Sequence, residues 1–100
     1  MIEVFKFHRW VPHDTERYGT ECKWFVAFKL GPNVFDAVVR VYKNATTIMV
    51  GEVSRDSGNR VGRVGEIGYN VPAGDVNEEW ITDSLVGDFA PVIIAAVDGR

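Results

Sequence analysis

Residues 22–42, CKWFVAFKLGPNVFDAVVRVY, restrict the fold more than any other stretch, because two alternating runs flank a short cluster of turn residues. In the first run Cys22, Trp24, Val26, Phe28 and Leu30 alternate with Lys23, Phe25, Ala27 and Lys29. A period of two sends successive side chains to opposite faces of a strand. In the second, Phe35, Ala37, Val39 and Val41 alternate with Asp36, Val38, Arg40 and Tyr42, with the β-branched and aromatic content that pleated surfaces favour. Gly31, Pro32 and Asn33 supply the turn chemistry of a β-hairpin.

The two apolar faces must coincide, since a slip of one residue would turn Phe35, Ala37, Val39 and Val41 away from the core. Leu30 opposite Phe35, around a loop at residues 31–34, meets this condition. That register also sets Lys29 against Asp36 as an ion pair, Phe25 against Arg40 as a cation–π contact and Lys23 against Tyr42. The second face of the hairpin, with Phe25, Ala27, Val38 and Tyr42 among its charges, is more apolar than a solvated face requires, and another part of the chain is expected to cover it, a partner protein being the alternative.

The flanking segments extend a sheet. Ile2–Trp10 reads as a strand with no cleanly polar face, which predicts a bulge or a strand partly covered on both sides, and a polar loop at residues 11–21 follows. A turn at residues 43–46 leads to a strand at residues 47–53, with Tyr42 opposite Thr47, Val41 opposite Ile48 and Val39 opposite Val50. Residues 55–59 form a further loop. In Arg60–Tyr69, Val61, Val64 and Ile67 recur every third residue and each precedes a glycine, the composition of a bulged edge strand.

The last third reads as helical. Asp75 with Glu78 resembles a capping box, Glu79 adds charge to the first turn, and Val76, Trp80, Ile81 and Leu85 make a 3.6-period stripe. Gly87 is the expected stop. Residues 89–97, with Pro91 early and Asp88 as a cap, read as a second helix, a buried strand being the alternative. The expected fold is α+β in one domain spanning residues 1–100. It has an antiparallel meander of four to five strands, with the C-terminal helical segment packed on Trp24, Val26, Phe28, Phe35, Val39, Val41, Ile48 and Val50.

Composition narrows the function classes. With 46% apolar and 25% charged residues the chain is an ordinary globular domain, and no run approaches the ~20 apolar residues of a membrane span. One cysteine and no signal-peptide pattern lead to the expectation of a cytoplasmic protein without membrane partners. Charge is segregated: residues 1–63 hold ten Lys and Arg against seven acids, whereas residues 64–100 hold Arg100 against seven acids.

No catalytic, cofactor or metal motif emerges, so an enzyme is not expected. His8, His13, Asp14, Glu16 and Cys22 match no ligand spacing, and Cys22 falls on the inward face as a structural thiol. Ser54, Ser57 and Ser84 sit in no nucleophile-elbow context, and no phosphate-binding glycine pattern is present. Arg55, Arg60 and Arg63 cluster around one hairpin end and give nucleic-acid binding as an alternative, weakened by the acidic total and the want of an aromatic platform. The leading expectation is a small protein-binding module, an inhibitor or adaptor that acts by occluding another protein's surface. Its acidic helical face, Glu78, Glu79, Asp83 and Asp88, would meet a basic patch on the partner. Phe25, Val38 and Tyr42 are a second contact surface, and with the glycine-rich edge they give the other alternative, a homo-oligomeric structural subunit.

Overall fold

The computed structural model describes residues 1–13 and 19–99. Five antiparallel strands, β1 (Ile2–Trp10), β2 (Cys22–Leu30), β3 (Asn33–Val41), β4 (Thr46–Val53) and β5 (Arg60–Tyr69), follow one another across one sheet in chain order. A 3₁₀ turn at Ala73–Asp75 leads into α1 (Glu78–Ser84), a π-helical segment (Leu85–Phe89) and α2 (Ala90–Asp98), which together run as one helix of 21 residues. The architecture is α+β, with the helix on one face of the meander.

The inward faces are those the alternation predicts. Val26, Phe28, Phe35, Ala37, Val39, Val41, Ile48 and Val50 are buried with Cys22, and Trp24 is half-buried against them. The pairing differs from the sequence expectation by two residues in both hairpins. Phe28 faces Phe35, with rings stacked at 5.4 Å, and Leu30 faces Asn33 around Gly31 and Pro32. Gly31 has φ +59°, which a two-residue hairpin turn of the primed class requires and which glycine adopts without strain. Val39 faces Ile48 and Val41 faces Thr46, around a turn at residues 42–45 closed by the Tyr42 N–H donating to the Ala45 carbonyl. A shift of two preserves the facing of every side chain, so the apolar pattern does not distinguish the registers; at Gly31 and Pro32 the observed register has the tighter turn, while the second turn keeps its length and moves by one residue.

The shift reassigns the outer-face partners. Lys29 lies 3.6 Å from Glu3 of β1 instead of pairing with Asp36; Phe25 faces Val38 and Lys23 faces Arg40. In β1 a bulge between Val4 and Lys6 inverts the alternation: Ile2 and Val4 point inward before it and Phe7 after it, while Lys6, His8 and Trp10 point outward. β5 carries two irregularities, against Val50/Gly51 and Glu52/Val53, so its three-residue repeat is a ladder interrupted by extra residues.

The helix begins later than its capping-box pattern predicts. Asn77 is the N-cap, its Oδ1 accepting from the Trp80 N–H at 2.8 Å, while Asp75 sits in the 3₁₀ turn. Gly87 does not end the helix, Asp88 does not cap a second one, and residues 89–97 are helical. Ile81, Leu85, Phe89 and Ile93, all fully buried, are spaced four residues apart. At 3.6 residues per turn that spacing drifts by ~40° per step. The wider π segment between Leu85 and Phe89 under-winds the helix and returns the stripe to the sheet. Tyr69 secures this segment from β5: its hydroxyl donates to Asp88 Oδ2 at 2.9 Å and its ring meets Trp80 edge-on.

Candidate functional site

Two unlike surfaces result. On the helix, four-residue burial leaves the opposite side to solvent. Val86, Val92 and Ile94 are 47%, 41% and 46% exposed, beside exposed Gly87, Pro91, Ala95 and Ala96. No charged residue occurs from Phe89 to Val97. Glu79, Asp83, Val86, Pro91, Ile94 and Asp98 succeed one another along the outward side at steps of three to five residues, the five-residue step crossing the π segment. An uncharged apolar strip is thereby bounded by carboxylates at both ends, with Glu78 and Asp88 alongside. The whole helix is long and apolar enough to cross a membrane by length and composition, a property hidden from a reading that divides it at Gly87.

The other surface is the far side of the sheet. The expectation that the chain covers it is not met by any described element: the helix packs on the inner face, and Phe25 is 43% exposed. The ladder sets its side chains in rows. Trp10, Lys23, Arg40 and Thr47 form one row, His8, Phe25, Val38 and Met49 the next, and Lys6, Ala27, Asp36 and Gly51 a third. The last two rows enclose an open depression of about 430 Å³ lined by Lys6, His8, Phe25, Ala27, Asp36 and Val38.

Arg60 reaches into this face by crossing β4. Its guanidinium bonds both Asp36 oxygens at 3.0 and 3.1 Å, passing over Gly51, where a Cβ would lie 2.7 Å from its Nε. Arg63 pairs with Glu66. Two of the three arginines of the nucleic-acid alternative are thus neutralised by neighbouring acids, and Arg55 stands apart in the exposed β4–β5 turn.

The remaining sequence candidates do not converge. Glu78, Glu79, Asp83 and Asp88 are all exposed on the helix, Asp88 accepting from Tyr69. Phe25 and Val38 lie on the opposite layer, and Tyr42 is half-buried beyond the end of β3, so the seven proposed contact residues form no single surface. Cys22 is buried on the inner face and His8 exposed on the outer one, which separates that pair as ligands or as nucleophile and base. Asp14 and Glu16 lie outside the described residues. Burial, with the Asp88 carboxylate next, raises the Tyr69 phenol above its ordinary value. Comparison with protein-family models, with curated proteins and with solved structures finds no match.

The sequence reading missed two features. The uncharged strip was hidden by ending the helix at Gly87, although the absence of charge between Asp88 and Asp98 was visible. The aromatic rows were not visible, because Trp10, Lys23 and Arg40 come together through pairings of three strands.

Proposed function

We propose that the protein is a small protein-binding module, an inhibitor or adaptor that works by covering part of another protein, and that it docks through the outer side of its C-terminal helix. The observation that carries this reading is the uncharged strip of Val86, Pro91 and Ile94 bounded by Glu79 and Asp83 at one end and Asp98 at the other. Exposed apolar patches rimmed by polar groups mark interaction surfaces, and interface cores are depleted of charge. The partner's chemistry follows from complementarity: an apolar groove edged by Lys and Arg. A second copy packing helix to helix would set carboxylate against carboxylate, since residues 64–99 hold no basic residue. A membrane is disfavoured because Ile81, Leu85, Phe89 and Ile93 are already committed to the sheet.

The test is capture from lysate of the source cells by the wild-type chain, Ile94→Arg, Glu79→Lys/Asp83→Lys and Phe25→Ala, with light scattering on each. A stoichiometric partner retained by wild type and Phe25→Ala but lost from both helix variants supports the reading. A partner indifferent to the helix variants, or a homo-oligomer with nothing else bound, overturns it.

A further inference from the structure

The far side of the sheet has a charge balance opposite to that of the helix. Its strands present Lys6, Lys23, Lys29, Arg40, Arg60 and Arg63 outward against Glu3, Asp36 and Glu66. The three acids are each engaged, Glu3 by Lys29, Asp36 by Arg60 and Glu66 by Arg63. Lys6, Lys23 and Arg40 therefore remain without a carboxylate among the described residues. Lys23 and Arg40 face each other directly across β2 and β3. Like charges at opposed positions destabilise a sheet, and their repulsion is relieved when an anion lies between them.

On β1 and β2 the most exposed apolar groups of this face are rings, while Ala27, Val38 and Met49 beside them are half-buried. Phe25 is exposed, with His8 6.2 Å away and tilted by 31°. Trp10 is more than a third exposed, and the Lys23 ammonium stands 5.4 Å from its ring centre. By alternation from Val4, Phe5 also belongs outside, and it is exposed. The cation pair Lys23 and Arg40 borders the His8–Phe25 row on one side, and Lys6 borders it on the other. Those two borders are ~13 Å apart along the strands.

We infer that this face binds single-stranded nucleic acid, with bases stacked on Phe25 and His8 and phosphates held by Lys6, Lys23 and Arg40. Stacking platforms interleaved with cations suit a strand whose bases are unpaired; a duplex conceals its base faces and leaves the rings unused. The three rows need no sequence-specific groups, so the site reads backbone charge and base area. The helix carboxylates do not oppose this, because the sheet and helix layers lie between and physiological salt screens charges beyond ~8 Å. The inference stands apart from the proposed protein contact, which uses the other layer.

The test is fluorescence anisotropy with labelled twelve-residue oligothymidylate, the matching oligouridylate and a DNA duplex of the same length, across a salt series. Saturable binding of either single strand, weaker for the duplex, is expected; which of the two binds more tightly distinguishes DNA from RNA. Phe25→Ala should weaken binding by about tenfold. Lys23→Ala/Arg40→Ala should lower the logarithmic salt slope by ~1.4, at ~0.7 per phosphate contact, while circular dichroism and the helix-dependent capture remain as in wild type. No binding of either strand at ~50 mM salt, equal binding of the duplex, or affinity unchanged in both variants overturns the inference. So does self-association abolished by Phe25→Ala in a protein that binds neither strand.

Discussion

Gly51 shows how a missing side chain can organise a surface. Arg60 reaches Asp36 only because nothing projects from β4 between them; the nearest backbone atom to a Cβ there, the Gly62 carbonyl oxygen, would be 3.1 Å away. Gly51→Ala should displace Arg60 and loosen the bidentate pair, at a cost of up to ~1 kcal/mol for a partly exposed ion pair. Asp36→Ala removes the same contact, so in denaturant melts the double variant should cost no more than the larger single one, because both act through Arg60. Additive effects would refute the shared contact. Phe28, fully buried and stacked on Phe35, belongs to a different class. Phe28→Ala should cost ~3–5 kcal/mol, seen as a lower urea midpoint. That residue's inward position was legible from alternation alone, whereas the Arg60 contact was not, because it spans three strands.

Among the elements, the helix departs furthest from its sequence pattern. Asp75 and Glu78 have the spacing of a capping box, but Val76 is extended, with φ −91° and ψ 115°, so the chain between them is not helical. Asn77 is the extended residue whose side chain reaches the first turn. Asn77→Ala should cost ~1 kcal/mol in thermal or denaturant unfolding, while Asp75→Ala should be near neutral. The reverse order would restore the earlier start. The hairpins teach a related lesson. Facing was readable because inside and outside alternate with every residue, but a displacement by two costs no facing, and the choice fell to turn geometry and to the stacking of Phe28 on Phe35.

In the molecule as a whole, Tyr69 joins the two layers at the π segment. Its phenol is raised above its ordinary value mainly by burial and secondarily by Asp88. The native state therefore favours the neutral phenol. The corresponding stability is complete below the ordinary tyrosine value of ~10 and declines as pH rises beyond it, where the unfolded chain ionises first. Wild type should lose stability above pH ~10 more steeply than Tyr69→Phe, as measured by urea midpoints across an alkaline series. Equal pH slopes would show that the phenol is not held by the helix. The same layering separates the charges: acids along the helix, and on the far side of the sheet cations that have no carboxylate partner among the described residues. The sequence held the first half of that division in residues 64–100, since a run of acids without bases is local information.

The alternation of residues 22–50 by itself determined a meander with one apolar face, and the stripe ending at Leu85 determined a helix to cover it, because burial periodicity is written in neighbouring positions. Only the tertiary structure decided the register, the continuation of the helix through Gly87 and the meeting of Trp10, Lys23 and Arg40 on one surface. Those depend on contacts between residues far apart in the chain, whose energies exist only once the strands have paired.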